Sequence, residues 1–225
     1  MTNNSASNKY VVSWSGGKDG CMACYHALKH GYNITHLVNF ISENPKKVRF
    51  HGVDAGLIKL QAQALGLELL QPLTSWEQYE ADFKQAIAGL KTQGVIGVVF
   101  GDIYLQEHLD WVQRVCAEIG VEAVEPLWGH DTDELLKEFI EAGFEAAIVC
   151  AKADVLEREW IGRRVDHVFL DYLRAQGVDC CGEKGEFHTL VTDGPIFKRR
   201  IRLFESEIQE HDGYYLLNVS RYDLD

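Results

Sequence analysis

Residues 15–20 read Ser-Gly-Gly-Lys-Asp-Gly and follow directly on the apolar run Tyr10-Val-Val-Ser-Trp14. Two adjacent glycines leave backbone N–H groups open to close approach, because no Cβ intervenes. Lys18 supplies a compact cation on a flexible stem. Beyond the loop, Cys21, Cys24, Tyr25 and Leu28 fall at i, i+3, i+4 and i+7, the stripe of an amphipathic helix. Strand, glycine loop and helix N-terminus together make an anion site, and the chemistry expected of it is phosphate chemistry. A Walker loop, G-x-x-x-x-G-K-[ST], is excluded: Val12 stands at its first glycine and Asp19 follows Lys18. Read from its position alone, Asp19 is a candidate helix cap.

The rest of the chain must position that loop. After a strand at 10–14 and a helix at 19–30, the pattern predicts a strand at 34–41, which contains Asn39. A loop with Arg49, His51 and Gly52 leads to a helix at 54–65 that Gly66 ends. A strand at 68–73 precedes Ser75-Trp-Glu-Gln78, whose capping-box spacing opens a helix to about residue 90. The β-branched run 95–100 is a buried strand ending at Gly101-Asp102. A helix at 105–119, a strand at 121–124, a helix at 132–142 with Asp131 ahead of it, and a strand at 145–151 follow. Alternating strands and helices predict an α/β fold with a doubly wound, mostly parallel sheet. Residues 154–177 read as helical. Residues 187–225 read as antiparallel strands with a hairpin at Asp212-Gly213, a smaller C-terminal α+β lobe. The expected division is 1–150 for the α/β part that carries the anion-binding loop and 151–225 for the smaller, substrate-binding lobe. Ligands of such sheets lie beyond the carboxyl ends of the strands. Residues 15–20, His51, Gly101, Asp102 and Trp128 all fall on that side.

At 225 residues the chain can bury a sizeable core, and 46% hydrophobic with 25% charged residues is an ordinary globular balance. No apolar run reaches the length of a membrane helix, and the N-terminus lacks a signal-peptide pattern, so a cytoplasmic protein is expected. A net charge of −12 argues against a broad nucleic-acid footprint, and neither nucleic acid nor membrane is an expected partner. Six irregularly spaced cysteines read as reduced thiols, with Cys21 and Cys24 as small core residues.

The loop "SGGKDG" resembles the SGGxDS loop of the N-type ATP pyrophosphatases (PP-loop, HUP-type fold), which cleave ATP between its α and β phosphates. Five further tracts narrow the resemblance: "VVFGDI" (98–103), "EPLWGHD" (125–131), "AGFEAAIV" (142–149), "WIGRRVD" (160–166) and "CGEKGEFHTLVTDGPIFKRRI" (181–201). Together they are similar to the diphthine–ammonia ligase family and cover nearly everything from Tyr10 to Ile201. The resemblance implies an AMP-forming, ATP-dependent carboxylate–ammonia ligase with ATP and Mg²⁺ as cofactors. A carboxylate, on a protein side chain or a small molecule, would be activated as an acyl adenylate and converted to an amide by ammonia or an amine donor. A homodimer is left open.

Carried over by position, Ser15, Gly16, Gly17, Lys18, Asp19 and Gly20 would form the pyrophosphate loop, with Asn39, His51 and Gly101 completing the nucleotide site. Lys18, Asp19, Asp102, Glu183 and Glu186 are the expected catalytic residues, and Asp19 the expected metal ligand. The two glutamates would face the acceptor or its amine. Gly20 replaces the usual Ser, which removes one hydroxyl contact to phosphate; two further departures bear on the acceptor, Asp102–His108 in place of a small-residue tract and His188 where Glu is usual. Two other readings remain at this point: a PP-loop tRNA-modifying enzyme, and a nucleotide-binding sensor without turnover.

Overall fold

The computed structural model describes residues 8–42 and 53–225. Its first part runs β1 (Lys9–Ser13), α1 (Lys18–Lys29), β2 (Asn33–Val38), β3 (Ile41–Ser42), α2 (Ala55–Leu65), β4 (Glu68–Leu70) and β5 (Leu73–Thr74). It continues through α3 (Tyr79–Lys91), β6 (Val95–Val99), α4 (Gln106–Ile119), β7 (Glu122–Val124) and α5 (Thr132–Glu141). Five of these strands form a parallel sheet in the order β4-β2-β1-β6-β7, and β3 pairs with β5 beside it. The chain grows outward from β1 on one side, then returns to add β6 on the other. The strand order therefore reverses at β1, where ligands of such sheets bind.

Both faces of this sheet are covered. Val11 and Val12 are consecutive and fully buried, so their side chains leave β1 on opposite faces. Val12 joins a core with Leu57 and Ile58 of α2 and Cys21 and Cys24 of α1. Val11 joins another with Phe83 and Ile87 of α3 and Val112 and Val115 of α4. The helix ends show their causes. Asp54 accepts from the Gly56 N–H to start α2, and Gly66 at φ 71 ends it. Asp131 accepts from the N–H groups of Asp133 and Glu134 to start α5. The capping box at Ser75 does not form: its hydroxyl donates to Glu77, and α3 starts at Tyr79 with no side-chain cap.

The second sheet is antiparallel, in the order β10-β11-β8-β9, from β8 (Glu145–Lys152), β9 (Phe187–Asp193), β10 (Ile201–His211) and β11 (Tyr214–Leu224). The strand expected to close the parallel sheet is β8, and it belongs here instead. The helix expected over 154–177 shrinks to α6 (His167–Gln176) and one 3₁₀ turn at Arg158–Trp160. The intervening backbone is used elsewhere: the Ile148 N–H donates to the Arg163 carbonyl, and the N–H groups of Gly162 and Val165 donate to Ile148 and Ala146. Residues 162–165 thus satisfy an edge of β8 that a helix would leave open. Asp212 at φ 49 and Gly213 at φ 78 make the expected two-residue hairpin turn.

Candidate functional site

The glycine loop leaves β1 and enters α1 through Gly17, which occupies the N-cap in an extended conformation with no side chain to cap the first turn. Those first-turn N–H groups point to whatever lies beyond the loop. Gly16 has φ 90, and a Cβ there would come within 2.5 Å of Ile58 Cδ1 and 2.9 Å of Gln61 Oε1. Gly101 is constrained from the other side: a Cβ would meet Gly20 N at 2.7 Å and the Asp19 carbonyl carbon at 2.8 Å. The end of β6 can therefore pass against the first turn of α1 only as glycine. Gly20 is different. Its nearest neighbour to an added Cβ is the Ser13 oxygen at 3.6 Å, so the serine usual there has room.

Above the loop lies a cavity of about 230 Å³ at the carboxyl ends of β1, β2 and β6. Lys18 is 3% exposed, with its ammonium 2.9 Å from Asp19 Oδ2 and 5.0 Å from the Phe187 ring centre. It also donates to the Cys181 carbonyl. Burial is the largest influence and works against its charge, but Asp19, Cys181 and Glu183 together outweigh it, so the lysine pKa is raised and the ammonium persists. Its backbone N–H donates to Thr189 Oγ1 at 3.0 Å, which ties α1 to β9.

The facing wall comes from the second sheet. Asp179 accepts the N–H groups of Cys181 and Gly182 at 2.7 and 3.1 Å, and Gly182 turns at φ 68. That turn aims Glu183 into the cavity, where it accepts the Ile103 N–H at 3.3 Å. Burial first, then the Asp19 carboxylate, pushes the Glu183 pKa up to about 7, against the pull of Lys18. His188 lines the same wall and is held down to about 4, by burial first and then by Lys18 and Lys152. At neutral pH the cavity holds a permanent cation, a carboxyl group near its midpoint and an uncharged imidazole.

Of the residues expected from sequence, Ser15, Lys18, Asp19, Gly20, Asn39, Gly101, Asp102 and Glu183 line this cavity, with Gly16 and Gly17 in the loop that bounds it. Asn39 spends its amide on structure, donating to the Trp14 carbonyl at 2.8 Å and accepting from Gln71 at 3.0 Å. Asp102 lies 2.9 Å from His108 Nδ1 and raises the pKa of that imidazole. Glu186 accepts the Lys184 N–H at 2.9 Å within its own turn and is not among the lining residues, nor is Trp128. His51, with Arg49 and Gly52, lies outside the described residues. Asp19 faces Lys18 and no side chain caps α1, which leaves its carboxylate, 29% exposed, toward the cavity. Among the described residues no group of three or more His, Cys, Asp or Glu side chains could hold a metal alone. All six cysteines are free and buried, and burial pushes the Cys21 and Cys24 thiols up. Among the described residues no helix is long and apolar enough to cross a membrane.

Sequence reading missed His188 and Thr189 as cavity residues, and it missed Gln61. The last carried a signal: Gln61 lies three residues after Ile58 and four before Leu65, on the buried stripe of α2, where a glutamine is out of place unless bonded.

A glycine loop with a buried lysine at the switch point of a doubly wound sheet, facing a carboxyl group on the turn ahead of β9, defines an α/β protein with a cavity whose chemistry suits a phosphorylated ligand. The chain belongs to the diphthamide synthase family: residues 8–123 match the diphthamide synthase N-terminal domain and residues 131–224 the C-terminal domain. It is 27% identical to a diphthine–ammonia ligase of Schizosaccharomyces pombe, across 88% of this chain and 36% of that protein. It is 26% identical to the Homo sapiens diphthine–ammonia ligase, across 88% of this chain and 84% of that one. The chain thus spans about a third of the yeast relative and most of the human one. A solved structure from Methanocaldococcus jannaschii, described as a predicted subunit of tRNA methyltransferase, aligns at a TM-score of 0.47 and 16% identity, covering 84% of this chain and 98% of that one.

Proposed function

We propose that the chain is an ATP-dependent ligase that adenylates a carboxylate and transfers the acyl group to ammonia, releasing AMP and pyrophosphate. One observation carries the proposal: the buried Lys18 ammonium at the start of α1 and the Glu183 carboxyl on the turn ahead of β9, with its pKa near 7, line the same cavity. Its relatives' names, diphthine–ammonia ligase, describe a reaction that needs both. In the first step an acceptor carboxylate oxygen attacks the α-phosphorus and the bond to the β-phosphate oxygen breaks. Lys18 and the loop N–H groups steady the charge that develops on the departing pyrophosphate. In the second step the ammonia nitrogen attacks the acyl carbon, AMP leaves with the bonding pair, and Glu183 accepts the proton the nitrogen sheds. A carboxyl with its pKa near the working pH suits that role.

Mg²⁺ usually binds through one or two carboxylates together with substrate phosphates. The cavity-lining carboxylate of Asp19 fits an ion carried in with ATP, which would neutralise phosphate charge there. The acceptor is a carboxylate of diphthine-like chemistry on a protein or small molecule. We assign nucleotide binding to residues 1–150, acceptor contacts to 151–225, and the cytoplasm as the place of action. Chromatography of the products formed from ATP, an ammonium salt and a panel of candidate carboxylates tests the reaction. AMP and pyrophosphate are expected, and ADP with phosphate as the main products would overturn it.

A further inference from the structure

Gln61 is fully buried in the middle of α2, and every hydrogen-bonding atom of its amide is used. Its Oε1 accepts from Trp14 Nε1 at 2.8 Å. An indole nitrogen can only donate, so this contact fixes which end of the amide is oxygen. Nε2 then has two hydrogens for two carbonyls, Gly16 at 2.9 Å and Val191 at 2.7 Å. The Gly16 carbonyl takes a second bond, from the Val191 N–H at 2.9 Å. One side chain therefore joins β1, the glycine loop and β9.

What this clamp fixes is the peptide between Gly16 and Gly17. A trans peptide points its C=O and N–H in opposite directions. Drawing the Gly16 oxygen back against Gln61 and Val191 turns the Gly17 N–H the other way, toward Ser15 Oγ at 3.4 Å on the cavity wall. With no Cβ on either side, a Gly-Gly peptide rotates at little cost. The rotated form would aim a carbonyl dipole at an incoming anion. We infer that Gln61 is a positioning residue: it holds the Gly16–Gly17 peptide so that the loop presents an N–H, rather than a C=O, to the phosphates of the nucleotide. The inference rests on the assignment of residues 15–20 as the phosphate site.

Calorimetric titration of ATP and of pyrophosphate into the wild type, Lys18→Ala, Gln61→Met and Ile87→Ala tests it. Ile87 is fully buried in α3, in the core on the far face of the sheet, so Ile87→Ala reports what lost stability alone does. Gln61→Met should weaken both ligands about tenfold or more, as loss of a preorganised donor to an anion does. Ile87→Ala should stay within about twofold, since distant sites rarely couple. If Lys18→Ala binds weakly while Gln61→Met matches the wild type, the clamp is wrong and the phosphate site stands. An equal loss in Ile87→Ala also overturns the clamp. Unchanged binding in Lys18→Ala removes the phosphate site, and the clamp with it. Should Gln61→Met fail to fold, Gln61→Glu has the same shape and keeps the acceptor for Trp14. Ionised, it offers neither carbonyl a donor; protonated, it offers one. Its ATP affinity relative to the wild type should therefore recover as pH falls, and a flat ratio overturns the inference.

Discussion

The two walls of the cavity are made in different ways. The wall proposed to hold phosphate, the phosphate wall, is mostly backbone: Gly16 and Gly101 pack where no Cβ fits, and its buried cation, Lys18, is pinned by Asp19 and the Cys181 carbonyl. The facing wall is side chain: burial pushes the Glu183 pKa up to about 7 and holds that of His188 down to about 4. Backbone donors do not titrate, so the first wall is fixed in charge and fails by steric damage. The second is tuned by burial and fails by changes of protonation. The difference teaches which kind of substitution each wall should tolerate.

The largest expected effect is steric. Gly101→Ala puts a methyl 2.7 Å from the Gly20 nitrogen, against backbone that cannot swing aside. A cost of about 3 kcal/mol is expected, the upper end for overpacking, which lowers Tm by roughly 6–12 °C in a chain of this size. Gly185→Ala, in the turn behind the facing wall, sharpens the contrast. A Cβ there meets nothing within 4 Å, so only its φ of 75 is charged against it. That costs about 1 kcal/mol. Thermal unfolding of the two variants compares them, and equal losses would deny that the walls differ.

How far the walls could be read from sequence follows the same division. The glycine loop, the Gly66 stop, the Asp131 cap and the Asp212-Gly213 hairpin were legible because each is set by residues within a few positions of one another. The placement of β8 was not, since an apolar strand such as Glu145–Lys152 does not encode its partners, and its edge was claimed by residues 162–165. Ser75–Gln78 had the right spacing for a cap, yet Ser75 found Glu77 first. Of the cavity residues, Lys18 stood out through the glycine loop and Glu183 through the long motif at 181–201. Gln61 and Thr189 did not, because their contacts reach across 45 or more positions of chain, and His188 was marked only as a departure from the family pattern.

A second effect, smaller than the first, tests the protonation side. Between pH 4.5 and 7 folded Glu183 keeps a proton that the unfolded chain has lost, so this group makes stability fall as pH rises through that window. His188 does the opposite. Its folded pKa near 4 lies below the ordinary 6.5, so the unfolded chain binds the extra proton and stability rises with pH between those values. Each contribution is on the order of 2 kcal/mol, and in the overlap they largely cancel. Glu183→Gln should therefore expose a steeper climb in stability up to pH 6.5, and His188→Gln a fall from 4.5 to 7. Urea unfolding across this range reads both slopes; three parallel profiles would mean that neither group is displaced.

The smallest effect is expected at Glu186. It shares the motif of Glu183, and spacing alone gives the two glutamates equal standing. The structure separates them: the Glu183 carboxyl faces the cavity, whereas Glu186 Oε2 accepts the Lys184 N–H at 2.9 Å inside the turn. Gln at 186 keeps a carbonyl oxygen for that same bond, so the turn should hold its shape. A group that touches no reacting atom changes turnover little when its local contact is preserved, so AMP formation should fall less than about threefold in Glu186→Gln. Glu183→Gln removes the proton acceptor itself, and general-base removal typically costs about 100-fold or more. ATP affinity should remain within about twofold of the wild type in both, since neither belongs to the phosphate wall. Parallel measurement of AMP release and ATP binding separates the two glutamates. Equal losses of turnover would place Glu186 in the acceptor wall after all, and the turn at 184–186 would then have to open when the acceptor binds.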